Sequence, residues 1–182
     1  MGALPATAQL RVILEAGGVI AYPTEGVWGL GCLPGHEAAV MRLLELKSRS
    51  VDKGLILLGT DVAQFDALAP GLVDGIPEPD EAPVTWLVPH ADRVPYWIHG
   101  GQIRVAVRLT RHPVVAQICS SVGLPVVSTS ANPASAPPAL TETVVRDYFA
   151  DKLDAIVAGS LGGASGPSKI VDLATGDVVR PA

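Results

Sequence analysis

The chain has 182 residues, 48% of them hydrophobic, and a net charge of −5. That is enough apolar material for one substantial core, so a single domain over residues 1–182 is expected. The acidic balance argues against a surface clad in basic side chains for nucleic acid, though a focused basic basin is compatible with it.

Leu10, Ile13 and Leu14 recur at helical spacing ahead of Gly17 and Gly18, which predicts an opening helix closed by glycine. Arg11 and Glu15 interrupt its apolar residues and the N-terminus lacks a basic n-region, so neither a signal peptide nor a membrane span is expected and a cytoplasmic protein is. Val19 to Tyr22 reads as a short buried strand ended by Pro23, and the glycine-rich run to Gly35 as a loop. A second helix from about His36 buries Val40, Leu43 and Leu44 and delivers Lys47 at its C-terminus. Two cysteines, Cys32 and Cys119, have neither C-x-x-C nor zinc spacing and are expected to be buried thiols.

Leu55 to Leu58 is an apolar strand, and Asp61 caps a short helix reaching Leu68. The proline-rich stretch from Pro70 to Pro83 predicts a surface excursion before a strand from Val84 to Val88. From Ile103 to Leu109 the alternation puts Ile103, Val105, Val107 and Leu109 on one face and Arg104, Ala106 and Arg108 on the other. Pro113 opens a helix to about Val122, and Val126 to Ser128 leads as a strand into STSAN. Pro133 to Pro138 is a loop, Thr141 caps a helix to Phe149, and strands follow at Ala155 to Val157 and Ile170 to Leu173. Helices alternating with strands predict an α/β fold with a twisted, mixed sheet.

Three stretches carry chemistry. YPTEGVWGLG supplies Thr24 and a glycine turn, KSRSVDKGL puts Lys47, Arg49 and Lys53 close together, and STSAN clusters hydroxyls around Asn132. Each has a plain structural reading as a helix end or a turn. Together they point to a polyanion beside a small polar molecule. GSLGGASGPSK is no Walker loop, because Pro167 and Ser168 intervene and an apolar strand follows; a dinucleotide fingerprint also fails for want of a third glycine. His36, His90, His99 and His112 lie outside the motifs and read as ordinary surface or loop histidines, with no catalytic triad. Glu25 reads as a structural partner of a nearby arginine rather than a base.

The ordered set YPTE, LKSR with KGL, PVTWLVP, VAVRLTRHP, STSAN and PSKIVDL resembles the YrdC-like threonylcarbamoyl-AMP synthases in their short, single-domain form, from about Thr7 to Arg180. The resemblance implies an open sheet with flanking helices around a concave ligand basin. It also implies condensation of L-threonine, bicarbonate or carbon dioxide, and ATP with magnesium to threonylcarbamoyl-AMP and diphosphate. The family's catalytic tetrad falls on Lys47, Arg49, Ser130 and Asn132. Threonine contacts fall on Thr24, Ser128 and Ser168, and nucleotide contacts on Arg49, Lys53, Thr85, Ser130, Pro138 and Arg180, with no resident metal site. Arg108 either steers an anion or is structural. A separate tRNA threonylcarbamoyl-transferase complex is the implied consumer of the product, with at most a weak tRNA contact by this chain.

Departures from the family pattern fall at Gly54, Leu58, Ala82, Ala134, Ser135 and Lys169. The competing readings are a non-catalytic module for tRNA or structured RNA, and a carbamoyl-transfer subunit of a hydrogenase-maturation factor. Only eight aromatic residues, without basic interleaving, disfavour the RNA module.

Overall fold

Nine strands form one mixed sheet in a computed structural model that describes residues 7–80 and 82–181. In chain order they are β1 (Ile20–Pro23), β2 (Trp28–Gly31), β3 (Ile56–Gly59), β4 (Val84–Pro89), β5 (Arg104–Leu109), β6 (Val126–Ser130), β7 (Ala155–Ile156), β8 (Lys169–Asp172) and β9 (Val178–Arg180). Their spatial order is β7-β1-β2-β6-β3-β5-β4-β8-β9, with parallel pairs at β7/β1, β3/β5 and β4/β8. The helices are α1 (Thr7–Glu15), α2 (Glu37–Leu46), α3 (Val62–Leu68), α4 (Tyr96–His99), α5 (Pro113–Val122) and α6 (Glu142–Phe149).

Local chemistry sets the ends of these elements. Asp61 accepts from the Ala63 N–H at 2.7 Å to start α3, and Thr141 accepts from the Val144 N–H to start α6. Pro113 occupies the first turn of α5, where its missing N–H costs nothing, and Gly123 closes that helix at φ +68°.

Strand alternation gives the sheet two cores. Ile20, Tyr22, Leu58 and Val126 pack under α1 and α5 with Leu10, Leu14, Val115 and Ile118. Ala21, Leu57, Val107 and Val127 face the larger core with Val40, Leu43, Phe65 and Phe149 from α2, α3 and α6. Each fully buried aliphatic side chain contributes about 1.5–3 kcal/mol by leaving water.

Several expectations need correction. The run from Pro23 to Gly35 is not all loop: Trp28–Gly31 is a strand antiparallel to β1 and buried throughout. Its glycines serve packing rather than turning, since a Cβ on Gly31 would meet the Val127 carbonyl oxygen at 2.4 Å. The stretch after Pro70 is not wholly a surface excursion either, because Leu72 and Val73 are buried in the larger core; Glu81 lies outside the described residues. Ile103 precedes β5 and is 79% exposed, so it does not share the buried face of Val105 and Val107. His90 and His112 are buried rather than superficial. Cys32 and Cys119 are fully buried, and burial pushes both thiols up to about 12.

Candidate active site

The face that carries Leu58 and Val126 under α1 and α5 continues along the sheet beyond those two helices. There it forms a cavity of about 260 Å³ floored by Gly29, Ser128, Ile56, Ala106, Leu87 and Ile170. Thr24, Arg49, Lys53, Ser128, Ser130, Ser168 and Arg180 all line it, so segments far apart in sequence converge as the motifs suggested.

One end is built from hydroxyls. Thr24 is buried after β1, and its Oγ1 donates to the Val27 carbonyl at 2.7 Å. Ser128 lies on β6 beside Gly29, and Ser168 shares a 2.7 Å hydrogen bond with Thr85. Both serines are nearly buried, at 6% and 3% exposure. Thr85 is fully buried and does not line the cavity; it sits behind Ser168. The loop 159–168 closes this end: Gly162 N–H donates to the Thr24 carbonyl at 3.1 Å and Ala164 N–H to the Glu25 carbonyl at 2.9 Å. That approach requires Gly26, whose added Cβ would lie 2.0 Å from the Gly166 carbonyl oxygen.

Five cations, Arg49, Lys53, Arg104, Arg108 and Arg180, stand along the wall among apolar side chains. Arg108 pairs with Glu25 at 3.1 Å, and Glu25 also accepts from the Thr110 hydroxyl, so Glu25 has the structural role its sequence position suggested. Arg104 pairs with Asp172 at 3.0 Å. Among the described residues, Arg49 and Arg180 meet backbone carbonyls: Arg49 donates to Gly54 at 3.0 Å and Arg180 to Ser168 at 2.6 Å. Burial, and then the charge of Arg180, lower the pKa of Arg49; burial and then Arg108 lower that of Arg180. The Nε groups of Arg49, Arg104 and Arg108 are buried without an acceptor among the described residues. Unpaired donors of this kind carry a desolvation cost that an anionic ligand removes.

Lys47 has a different place from its neighbours. It is 4% exposed, does not line the cavity, and its Nζ donates to the Ser130 carbonyl, to the Asn132 carbonyl at 2.7 Å and to Asn132 Oδ1 at 3.3 Å. Burial, followed by the charge of Arg49, brings its pKa down to about 8. Asn132 also stands behind the wall: its Oδ1 accepts from the Ser130 hydroxyl at 2.6 Å and its Nδ2 donates to the Pro133 and Ala136 carbonyls. Lys47 and Asn132 therefore hold Ser130 in place from behind. Pro138 is half-buried and is not among the lining residues.

Sequence reasoning gave no site role to His99, Gln102 and Arg104, which line the far end. His99 stacks on His90 with ring centroids 4.0 Å apart, and its Nδ1 accepts from Gly101 N–H at 3.1 Å. Arg104 was legible in the alternation that put it on the face of Arg108. The histidine stack had no signal.

The family model Sua5_yciO_yrdC, described as "Telomere recombination", matches residues 12–182. A Pseudomonas aeruginosa protein named threonylcarbamoyl-AMP synthase is 52% identical over 181 residues, 97% of each chain. A Stutzerimonas stutzeri protein of the same name is 51% identical over 96% of each chain. Among solved structures, P. abyssi Sua5 complexed with L-threonine superposes with a TM-score of 0.80 at 28% identity, over 96% of this chain and 54% of that one, so the chain spans about half of that longer protein.

Proposed function

The chain belongs to the Sua5/YciO/YrdC family, and from that premise we propose that it is a threonylcarbamoyl-AMP synthase, a nucleotidyltransferase acting on L-threonine, bicarbonate and ATP. One observation carries the reading: a hydroxyl cluster and five cationic side chains line one cavity, and three of its arginines bury an Nε with no acceptor among the described residues. The relatives' shared name and the threonine bound in the Sua5 structure support it.

The hydroxyl end takes threonine, with Thr24, Ser128 and Ser168 around it and Arg108 offering its guanidinium to the carboxylate. Threonine's ammonium and bicarbonate give a carbamate, water and a proton. The carbamate is already an anionic nucleophile, so the protein needs no strong base. A carbamate oxygen then bonds to the α-phosphorus of ATP while the bond to the bridging oxygen breaks and diphosphate leaves. Arg49, Lys53 and Arg180 hold the phosphates, and Ser130 is positioned by Lys47 and Asn132. Catalysis on this account is placement together with preorganised positive charge.

The described residues contain no group of three His, Cys, Asp or Glu side chains suited to a metal, and Glu25 and Asp172 are already paired with arginines. On this reading magnesium enters on the triphosphate as part of the substrate.

Arg49, Lys53, Arg104, Arg108 and Arg180, five of the thirteen lysines and arginines, line a cavity of small-molecule size, which weighs against the RNA-module reading. The product passes to a separate tRNA threonylcarbamoyl-transferase complex in the cytoplasm, and this chain does not itself modify tRNA. Diphosphate release is the test. It should require threonine and bicarbonate together; release that ignores either one would overturn the assignment. Threonylcarbamoyladenosine formed on tRNA by the purified chain alone would overturn the division of labour.

A further inference from the structure

Arg104 stands four residues before Arg108 on the same face of β5, which separates their Cα atoms by about 13 Å along the strand. Arg108 belongs to the threonine end through Glu25, the neighbour of Thr24. Ile56 pairs with Ala106, so the segment leading into β3 brings Lys53 and Gly54 beside Arg104, and all three line the cavity. Arg104 therefore marks the end of the cavity opposite threonine.

Resting on the synthase reading, we propose that Arg104, oriented by Asp172, is a catalytic residue that grips the departing diphosphate. In-line displacement fixes the direction of the reaction at phosphorus. The carbamate oxygen enters from the threonine side, so the bridging oxygen and its electron pair leave on the opposite side, where Arg104 sits. The electron pair stays with the diphosphate and no proton has to move for the bond to break. A guanidinium there meets charge that develops in the transition state.

The side chain is prepared for this. Asp172 Oδ1 accepts from Ala174 N–H at 2.9 Å and from Thr175 N–H at 3.3 Å, which leaves Oδ2 to hold Arg104 Nη1. That ion pair occupies one corner of the fork. The side chain is still 32% exposed and lines the cavity, so the guanidinium N–H groups that Asp172 does not use can take a phosphate oxygen without giving up Asp172. Asp172 itself is a positioning residue, and it acts only through Arg104.

The test is calorimetric titration of inorganic diphosphate and, separately, L-threonine into the wild-type chain, R104M, R104K and D172N, with product formation measured on the same preparations. R104M should bind diphosphate roughly tenfold more weakly, as for loss of a charge-assisted contact. Threonine affinity should stay within about twofold of wild type, and kcat should fall more than the KM for threonine rises. R104K, which keeps the charge but not the fork, should recover part of the diphosphate affinity. D172N should fall between wild type and R104M. If R104M does not fold, R104Q takes its place, and wild-type diphosphate affinity in a folded variant without the charge would overturn the proposal. Equal weakening of diphosphate and threonine in R104M would also overturn it, by making Arg104 a structural tie. A wild-type chain that forms no threonylcarbamoyl-AMP would instead fail the synthase reading, a result separable from the binding data.

Discussion

One face of the sheet is divided into two unlike halves. Under α1 and α5, Leu58 and Val126 are fully buried against Leu14 and Ile118. A few residues along the same strands, Ile56 and Ser128 floor an open cavity ringed by arginines. The covered half gains stability by excluding water. The open half does the opposite: it keeps like charges close together and leaves guanidinium donors buried without acceptors among the described residues. Binding a polyanion is the event that relieves both costs, so the two halves should respond to mutation in separable ways.

The largest effect is expected in the open half. Arg49→Ala should lower threonine-dependent diphosphate release about a thousandfold, on the order of 4 kcal/mol of transition-state stabilisation, while the melting temperature changes little because the side chain carries little core packing. A folded R49A protein with near wild-type turnover would remove Arg49 from the chemistry. In the covered half, Leu14→Ala should cost about 3 kcal/mol of stability by leaving a cavity, or roughly 6–12 °C in melting temperature. KM values for the fraction that remains folded should be unchanged. A shift in threonine KM with no loss of stability would show that the halves are not separate.

Lys47 lies at the seam, and pH should separate its two contributions. With its pKa at about 8, it begins to lose its proton just above neutrality, and a neutral amine has too few N–H groups for the three oxygens it now serves. Turnover should therefore fall about tenfold per pH unit well above 8, as expected for a single required proton. Stability moves the other way. The folded state gives up this proton more readily than the unfolded state, whose lysine keeps the ordinary value of 10.5, so the group's contribution to stability rises from about pH 8 to 10.5. Pulse-proteolysis midpoints beside pH–rate profiles read both; activity flat to pH 10 would mean that Lys47 does not hold Ser130.

Much of the fold was legible because periodicity and caps report on local geometry: Asp61, Pro113 and Thr141 start their helices as expected. Strand β2 was not, because WGLG reads as a turn unless one knows that Tyr22 and Val127 press against it. Strand β9 is three exposed residues recognisable only by pairing with β8. At the site, residue type was legible and direction was not. Lys47 stands in a cationic motif, yet its ammonium points away from the cavity into backbone carbonyls. Arg104 showed its face in the alternation, but its partner Asp172 arrives from two strands away and no local pattern joins them.

Mass spectrometry after incubation with ATP, magnesium, L-threonine and carbon-13 bicarbonate tests the assignment at the level of the atoms joined. The expected product is threonylcarbamoyl-AMP with the label in its carbamoyl carbon and one diphosphate released per molecule. AMP and diphosphate formed without a labelled threonine adduct would contradict it, and the open half of the sheet would have to be assigned to some other polyanion chemistry.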